Sequence, residues 1–282
     1  MHKKVHWRES ARCSNQHWEK GSFLSKCPGG RKWFRTNWAS DVSLSREHPP
    51  PVQIHTYLGQ VDFEMLGKIQ SQHPGLYIHN EVVELNPQQI SKYKELVKEK
   101  GQGLNISFAW NQMSLEEYVK QNKERKESKK FDFIHMIEVL YFVESIHDTI
   151  KYFHSLLETN GKLLIIHTAD DSGFHSLWEK VISRLPNNHL FSEIYKTLEE
   201  MRMKYQIYKL SSDMDITECF IERNENGERL LDFLTQIVHF SKTAPADLKD
   251  EVLHYLRQLQ CSREENGKII FNNNLHAVIV EC

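Results

Sequence analysis

The amino-acid sequence predicts an α/β fold in which a mainly parallel sheet is covered by helices on both faces. From about residue 76 onward, strand-like and helix-like segments alternate along the chain. Successive strands are separated by a dozen residues or more, the length that a right-handed crossover between parallel strands needs. The 282 residues are 39% hydrophobic, which is enough to form one large core.

The first unit of this pattern is a strand over Leu76–Val83 followed by a helix. Asn86 suits the N-cap of that helix, Pro87 suits its first position, and Gly101 is placed to end it. A second strand is expected over Ile106–Trp110 because the segment is apolar and rich in aromatic residues.

The next unit begins with a helix signal. Ser114 and Glu117 have the spacing of a capping box, in which each side chain satisfies a backbone N–H of the other residue. The sequence Phe131–Ile137 indicates a buried strand, and we expect a helix from Ile146 to Glu158.

The C-terminal half adds further strands to the same sheet. The Asn-Gly pair at 160–161 predicts a turn into a strand over 162–166. Near the C-terminus, Lys268–Phe271 and Ala277–Val280 flank a run of three asparagines and predict an antiparallel hairpin on that sheet.

Residues 1–50 differ from the rest of the chain. Tryptophan, arginine, histidine and serine are mixed there without helical or strand period, and the segment runs into three prolines at 49–51. We expect a poorly ordered segment over 1–50 and one domain over 51–282. The alternative is that the tryptophans at 7, 18, 33 and 38 form an interaction surface.

Charge and cysteine usage indicate a soluble cytoplasmic protein with a small ligand. The chain has 36 Lys and Arg against 38 Asp and Glu, a net charge of −2, which does not favour nucleic acid or an anionic membrane as partner. The five cysteines are widely spaced and unpaired in pattern, which fits a reduced compartment. No apolar run approaches the roughly 18 residues that cross a bilayer.

Several candidate binding residues follow the predicted strands, where ligands of open α/β sheets bind. Glu84 follows the first of these strands and could accept hydrogen bonds from the ribose hydroxyls of an adenosine. The alternative interpretation is a carboxylate that only lies near the start of a helix. Ser114 and Ile137 lie on the same edge, and each has a structural alternative, as helix cap and as core residue.

A carboxylate and two aromatic rings, Glu138, Tyr141 and Phe142, come directly after the strand that ends at Ile137. This composition suits a small cationic or aromatic substrate, and a partly buried core edge is the alternative. The sequence contains no phosphate loop, HExxH or GxSxG motif, and its histidines are dispersed, so we expect neither a metal site nor covalent catalysis.

The chain resembles the histamine N-methyltransferase family from about Gly59 to Cys282. The strings that carry the resemblance are NEVVE, SKYKELV, FAW, FDFIHMIEVLYFV, FHSLLETNGKLLII, MDI, NENG, DFL and FNNNL. The resemblance implies a Rossmann-like class I methyltransferase fold and an enzyme that transfers the methyl group of S-adenosyl-L-methionine to the ring nitrogen of histamine remote from its side chain. It also implies a monomer that needs no catalytic side chain or metal.

The resemblance implies a set of cofactor-binding residues. Glu84, Gln89 and Ile137 match positions that hold the cofactor in the family. The family's serine after the third strand is matched by Ser114 if a shift of one residue is allowed, and by Leu115 in direct alignment. Of the family's glycine-rich turn only Gly59 remains, and the family's N-terminal substrate glutamate has no counterpart in residues 1–50.

The resemblance also implies a set of substrate-binding residues. Glu138 stands where the family has a glutamine that touches the substrate, which changes the charge of the site. The other implied substrate residues are Tyr141, Phe142, Phe174, Trp178, Phe233 and Asn273.

Two alternatives to an active methyltransferase follow from the departures. A catalytically silent binding protein with this fold would explain the missing glycines and the missing glutamate. A nicotinamide-dependent Rossmann enzyme would explain Glu84 but not the substrate-side residues.

Overall fold

The computed structural model describes residues 52–55, 59–125, 129–181 and 192–282, and for residues 52–55 it describes the backbone alone. The expectation that residues 1–50 are poorly ordered lies outside these ranges. Within them the strands are β1 Val52–His55, β2 Ile78–Val83, β3 Ile106–Asn111, β4 Phe131–Ile137, β5 Leu157–Thr168, β6 Tyr205–Leu210, β7 Asp213–Asp215, β8 Ser262–Glu265, β9 Lys268–Asn272 and β10 Leu275–Glu281.

Helices alternate with these strands in most of the chain. They are α1 Gly59–Gln72, α2 Pro87–Lys100, α3 Leu115–Arg125, α4 Ile146–Ser155, α5 Gly173–Val181, α6 Ser192–Glu200, α7 Glu225–Thr235, α8 Phe240–Thr243 and α9 Ala246–Leu256. No helix within the described ranges is both long and apolar enough to cross a membrane.

The main sheet has seven strands in the order β3-β2-β1-β4-β5-β10-β6. The pairs β1–β2, β1–β4, β2–β3 and β4–β5 are parallel, and β10 pairs with β6 in the antiparallel direction. These pairings confirm the prediction of an α/β fold with a mainly parallel sheet. Because β1 lies between β2 and β4, the strand order reverses at β1, and the crevice at such a point is where open α/β sheets bind ligands.

The local helix signals formed as expected. The Asn86 side chain accepts a hydrogen bond from the backbone N–H of Gln88 at 2.9 Å, and Gly101 is the C-cap of α2. The capping box of α3 is reciprocal: Ser114 N–H donates to Glu117 at 2.9 Å, and Glu117 N–H donates to the Ser114 hydroxyl at 3.1 Å. Each bond satisfies an N–H that the first helical turn leaves without a partner.

Strand β5 is longer than the sequence pattern indicated. It begins at Leu157, and its pairing with β4 shifts register between Phe131 and Phe133. Asn160 adopts a left-handed conformation at φ 68°, so the expected turn is a kink within the strand. Helix α4 accordingly ends at Ser155, earlier than expected.

The prediction of a C-terminal hairpin on the main sheet is wrong. β9 pairs with β7 and β8 in a separate three-stranded sheet, whereas β10 pairs with β6 in the seven-stranded sheet. The asparagines between the two strands do not form a hairpin turn. The backbone N–H of Asn273 instead donates to the carbonyl of Ser212 at 2.9 Å. β9 thus pairs with β7 and β10 pairs with β6, both in the 205–215 segment, and β9 and β10 do not pair with each other.

The chain divides into two compact units. One contains the described residues of 168–188 and 211–274, and the other contains the remaining described residues, including nearly all of the seven-stranded sheet. The expectation of one domain over 51–282 stays a prediction.

The larger unit has a hydrophobic core on each face of its sheet. On one face α1 contributes Val61, Met65 and Ile69, and on the other face α4 contributes Ile150 and Phe153. These side chains are at most 5% exposed, and burying each contributes about 1.5–3 kcal/mol. The sheet is therefore held between two apolar layers, and its strand ends are left to carry polar groups.

Candidate functional site

Two acidic residues follow parallel strands at the same edge of the seven-stranded sheet. Glu84 comes directly after β2 and Glu138 directly after β4. Since β2, β1 and β4 are parallel neighbours, their carboxyl ends share one edge. This is the edge at which the strand order reverses.

Glu84 is held in a fixed position. The residue is 5% exposed, and its Oε1 atom accepts the backbone N–H of Asn86 at 2.6 Å. Its own backbone N–H donates to the carbonyl of Asn111 at the end of β3, at 3.0 Å. A carboxylate oriented in this way, at the end of β2, has the position and the acceptor chemistry that the ribose of an adenosine cofactor requires.

The other residues predicted to bind the cofactor lie at the starts of helices or at the end of a strand. Gly59 is the first residue of α1, Gln89 lies in the first turn of α2, and Ser114 caps α3. Ile137 ends β4 opposite His55 of β1 and is 1% exposed. The chemical character of these residues fits a nucleoside ligand, and their contact with one stays a prediction.

Gly59 has a packing reason to be glycine. A Cβ atom built on it would lie 2.3 Å from Cγ of Tyr93, far inside contact distance. The Tyr93 ring, carried by α2, therefore rests directly on the first residue of α1. Any larger residue at position 59 would separate the two helices.

Glu138 has an unusual backbone and an unusual carboxyl group. Its φ of 54° is left-handed, and its backbone N–H donates to the carbonyl of Ile166 in β5 at 2.9 Å. The side chain is partly exposed, but its Oε1 atom is buried. Burial raises the pKa of this carboxyl to about 8, and a hydrogen bond with Tyr141 offsets part of that rise.

This pKa modifies the expectation that Glu138 changes the charge of the site. At neutral pH a carboxyl with a pKa of about 8 is mostly protonated, so in the unliganded protein it is closer to a neutral amide than to a carboxylate. Nearby, the rings of Tyr141 and Phe142 meet edge to face at 6.3 Å, and Phe142 is 50% exposed. The group combines a titratable carboxyl with an accessible aromatic surface.

The remaining predicted substrate residues belong to the smaller unit. The Phe174 ring contacts Trp178 at 5.2 Å, Phe233 at 5.2 Å and Phe271 at 5.0 Å, and Trp178 Nε1 donates to the carbonyl of Leu234 at 2.9 Å. Phe174 and Trp178 are buried, so both residues have a packing role in this unit.

Asn273 is also buried, at 1% exposure, and its Nδ2 donates to the Ser212 hydroxyl at 2.8 Å. Together with its backbone N–H bond to the Ser212 carbonyl, this fixes the asparagine in place. Its contact with a substrate stays a prediction.

The larger unit contains a buried polar network that was not predicted from the sequence. Asp62 of α1 accepts hydrogen bonds from Tyr93 of α2 and from His135 of β4, and all three residues are buried. A signal was present in FDFIHMI, because strand alternation puts His135 on the same face as Phe133 and Ile137. A polar residue on such a face needs a buried partner.

The described part of the chain contains no group of three or more His, Cys, Asp or Glu residues arranged to hold a metal ion.

The chain is similar to known methyltransferases over most of its length. Residues 19–205 match the family model described as a methyltransferase domain. The chain is 46% identical over 229 residues to histamine N-methyltransferase of Bos taurus, which covers 79% of this chain and 78% of the relative. It is 44% identical over 228 residues to carnosine N-methyltransferase 2 of Gallus gallus, covering 79% of this chain and 71% of the relative.

A solved structure supports the fold alone. The YcgJ protein of Bacillus subtilis superimposes with a TM-score of 0.53 at 13% identity, covering 86% of this chain and 95% of that chain. The similarity is one of topology, and the sequence identity is too low to carry a function.

Proposed function

The chain belongs to the histamine N-methyltransferase family, and from this premise we propose that it methylates histamine on the ring nitrogen remote from the side chain. It is a methyltransferase, and its methyl donor is S-adenosyl-L-methionine. The observation that carries the proposal is the 46% identity over 79% of the chain. These relatives do not favour a silent binding protein.

We propose that the cofactor is held at the edge where Glu84 follows β2. Glu84 would accept hydrogen bonds from the ribose hydroxyls, and its bond to Asn86 orients it for that task. The residues proposed to complete the site are Gly59, Gln89, Ser114 and Ile137. When bound, S-adenosyl-L-methionine supplies an electrophilic methyl group on a sulfonium, so the chemistry requires no metal.

We propose that Glu138, Tyr141 and Phe142 contact the substrate. The exposed face of Phe142 suits an imidazole ring or a cation, and the Glu138 carboxyl can pair with an ammonium group. An ammonium brought close to Glu138 favours the ionised carboxyl and lowers its pKa from about 8. Substrate binding and ionisation of Glu138 would therefore support each other.

The protein's part in the reaction is positioning. The attacking ring nitrogen must be unprotonated and aligned with the methyl group, and alignment with exclusion of water can supply about 7–11 kcal/mol of the barrier. Glu138 and Tyr141 would orient the substrate, and neither would act as an acid or a base in the methyl-transfer step. We further propose that the protein acts as a cytoplasmic monomer on a small molecule, without nucleic acid or membrane. The net charge of −2 supports the absence of nucleic-acid and membrane partners, and the five widely spaced cysteines fit a reduced compartment.

The test of the substrate is a comparison of kcat/KM for histamine and carnosine under the same conditions. Both compounds carry an imidazole, and carnosine is the substrate named for the Gallus gallus relative. We expect histamine to be methylated with the higher kcat/KM. A higher value for carnosine would retain the methyltransferase chemistry and overturn the proposed substrate.

A further inference from the structure

One buried carboxylate connects the three elements that carry most of the proposed cofactor residues. Asp62 lies in the first turn of α1, Tyr93 lies in α2, and His135 lies in β4. Asp62 is 0% exposed, Tyr93 5% and His135 2%. Three polar groups have thus been removed from water at the junction of two helices and the sheet.

Both oxygens of the Asp62 carboxylate accept a hydrogen bond. The Tyr93 hydroxyl donates to Oδ2, and His135 Nε2 lies 3.0 Å from Oδ1. Burial and the neighbouring Asp62 raise the pKa of Tyr93 well above its ordinary value, so its hydroxyl remains a donor. A buried carboxylate requires such partners, and the pairing makes the relative placement of the three elements specific.

Each of these elements leads to a proposed cofactor residue. Helix α1 begins at Gly59, on which the Tyr93 ring rests, and α2 begins after Asn86, which is bonded to Glu84. Strand β4 ends at Ile137, on the same face of the strand as His135. A shift of α1 relative to α2 or β4 would therefore change the distances among residues proposed to hold one ligand.

We propose that Asp62, Tyr93 and His135 are positioning residues for the S-adenosyl-L-methionine site, acting through the start of α1. None of the three needs to touch the cofactor. The inference rests on the proposed function in one respect, that S-adenosyl-L-methionine is the ligand of this edge.

A matched control exists in the same unit. The Tyr195 hydroxyl of α6 is hydrogen-bonded to His276 Nδ1 of β10 at 2.5 Å and to His167 Nε2 of β5 at 3.1 Å. Tyr195→Phe removes the same kind of phenol hydrogen bond as Tyr93→Phe, but none of α6, β5 and β10 carries a proposed cofactor residue. Substitution of Asp62 would leave two buried donors without their acceptor and could prevent folding, so the tyrosine variants are preferred.

The experiment is calorimetric titration of the full chain and its variants with S-adenosyl-L-methionine, accompanied by melting temperatures. We expect Tyr93→Phe to raise the dissociation constant about 10-fold, which is the scale of the effect of losing a hydrogen bond that supports a ligand site. Tyr195→Phe should also lower the melting temperature but change the dissociation constant by less than about twofold. The KM for histamine at saturating cofactor should be unchanged in both variants.

A second pair of variants tests the histidine. His135→Gln keeps an N–H donor and should bind cofactor more tightly than His135→Leu, which has none. If Tyr93→Phe changes the dissociation constant by no more than the control Tyr195→Phe does, the network is only structural and the inference is wrong. If the unsubstituted protein fails to bind S-adenosyl-L-methionine, the proposed function fails first and the positioning role falls with it.

Discussion

The backbone N–H of Glu138 donates to the carbonyl oxygen of Ile166 at 2.9 Å, so the acidic residue that follows β4 is anchored to the end of β5. Glu138 itself adopts a left-handed conformation at φ 54°. The carboxyl group therefore has a defined place at the strand ends, and its raised pKa follows from that place.

The pKa of about 8 at Glu138 predicts a pH-dependent affinity for histamine. As the pH rises through about 8 the carboxyl ionises, and the charged form pairs better with the substrate's ammonium. Affinity should therefore increase with pH in the unsubstituted protein and stay level over that window in Glu138→Gln. At pH about 8.5 we expect Glu138→Gln to weaken binding by about 1 kcal/mol and Glu138→Ala by about 2–3 kcal/mol.

Calorimetry in buffers of different ionisation enthalpy provides the check. Near neutral pH, histamine binding should release a proton from Glu138, and this release should disappear in Glu138→Gln. Equal proton release by the two proteins would show that Glu138 does not pair with the substrate.

Glu84 should control cofactor affinity. Glu84→Ala removes a carboxylate that is oriented by the Asn86 N–H and is expected to cost about 1.5–3 kcal/mol of binding free energy for S-adenosyl-L-methionine. Glu95→Ala, on an exposed position of α2, is the matched control and should bind as the unsubstituted protein does. A Glu84→Ala dissociation constant equal to that of the control would remove Glu84 from the site.

Two substitutions at Ser114 can distinguish its role as a helix cap from a role in binding the cofactor. Ser114→Ala removes the cap of α3 and should cost about 1 kcal/mol of unfolding free energy, as should Ser145→Ala, whose hydroxyl accepts the Asp148 N–H at 3.1 Å in α4. Ser114→Asp keeps a capping acceptor but loses the hydroxyl donor. If Ser114 also donates to the cofactor, Ser114→Asp will be stable and bind S-adenosyl-L-methionine more weakly; unchanged binding would leave Ser114 as a cap alone.

Phe174 and Phe142 should respond in opposite ways to truncation. Phe174 is 4% exposed and packs among other aromatic rings, so Phe174→Ala should lower the free energy of unfolding by about 3–5 kcal/mol. Phe142 is 50% exposed, so Phe142→Ala should cost less than about 1 kcal/mol of stability and raise the KM for histamine. Denaturant unfolding and steady-state kinetics on the two variants measure both effects. A histamine KM that Phe142→Ala leaves unchanged would contradict its substrate role.

Local signals predicted the parts of the fold that depend on neighbouring residues. The caps at Asn86 and Ser114 formed as expected, because an N-cap side chain and the backbone N–H that donates to it lie within three positions of each other. The C-terminal hairpin was predicted wrongly because sheet membership is decided by the distant 205–215 segment, with which both β9 and β10 pair. Nothing in the three intervening asparagines reveals that competition.

In the candidate site, too, features set by local sequence were predictable and features set by distant contacts were not. Alternation of strands and helices was enough to place Glu84 and Glu138 at one edge of the sheet. The contact of Tyr93 with Asp62 spans 31 residues and that of His135 with Asp62 spans 73, so a pattern read within one segment could not join them. The pKa of Glu138 likewise depends on burial by tertiary packing, which composition does not report.

The regiochemistry of the product tests the central claim most directly. The protein is incubated with histamine and S-adenosyl-L-methionine labelled with carbon-13 in the transferred methyl group, and the product is analysed by two-dimensional NMR. We predict that the label appears on the ring nitrogen remote from the side chain. Label that remains in S-adenosyl-L-methionine, or that appears on the side-chain amine, would contradict the proposed function.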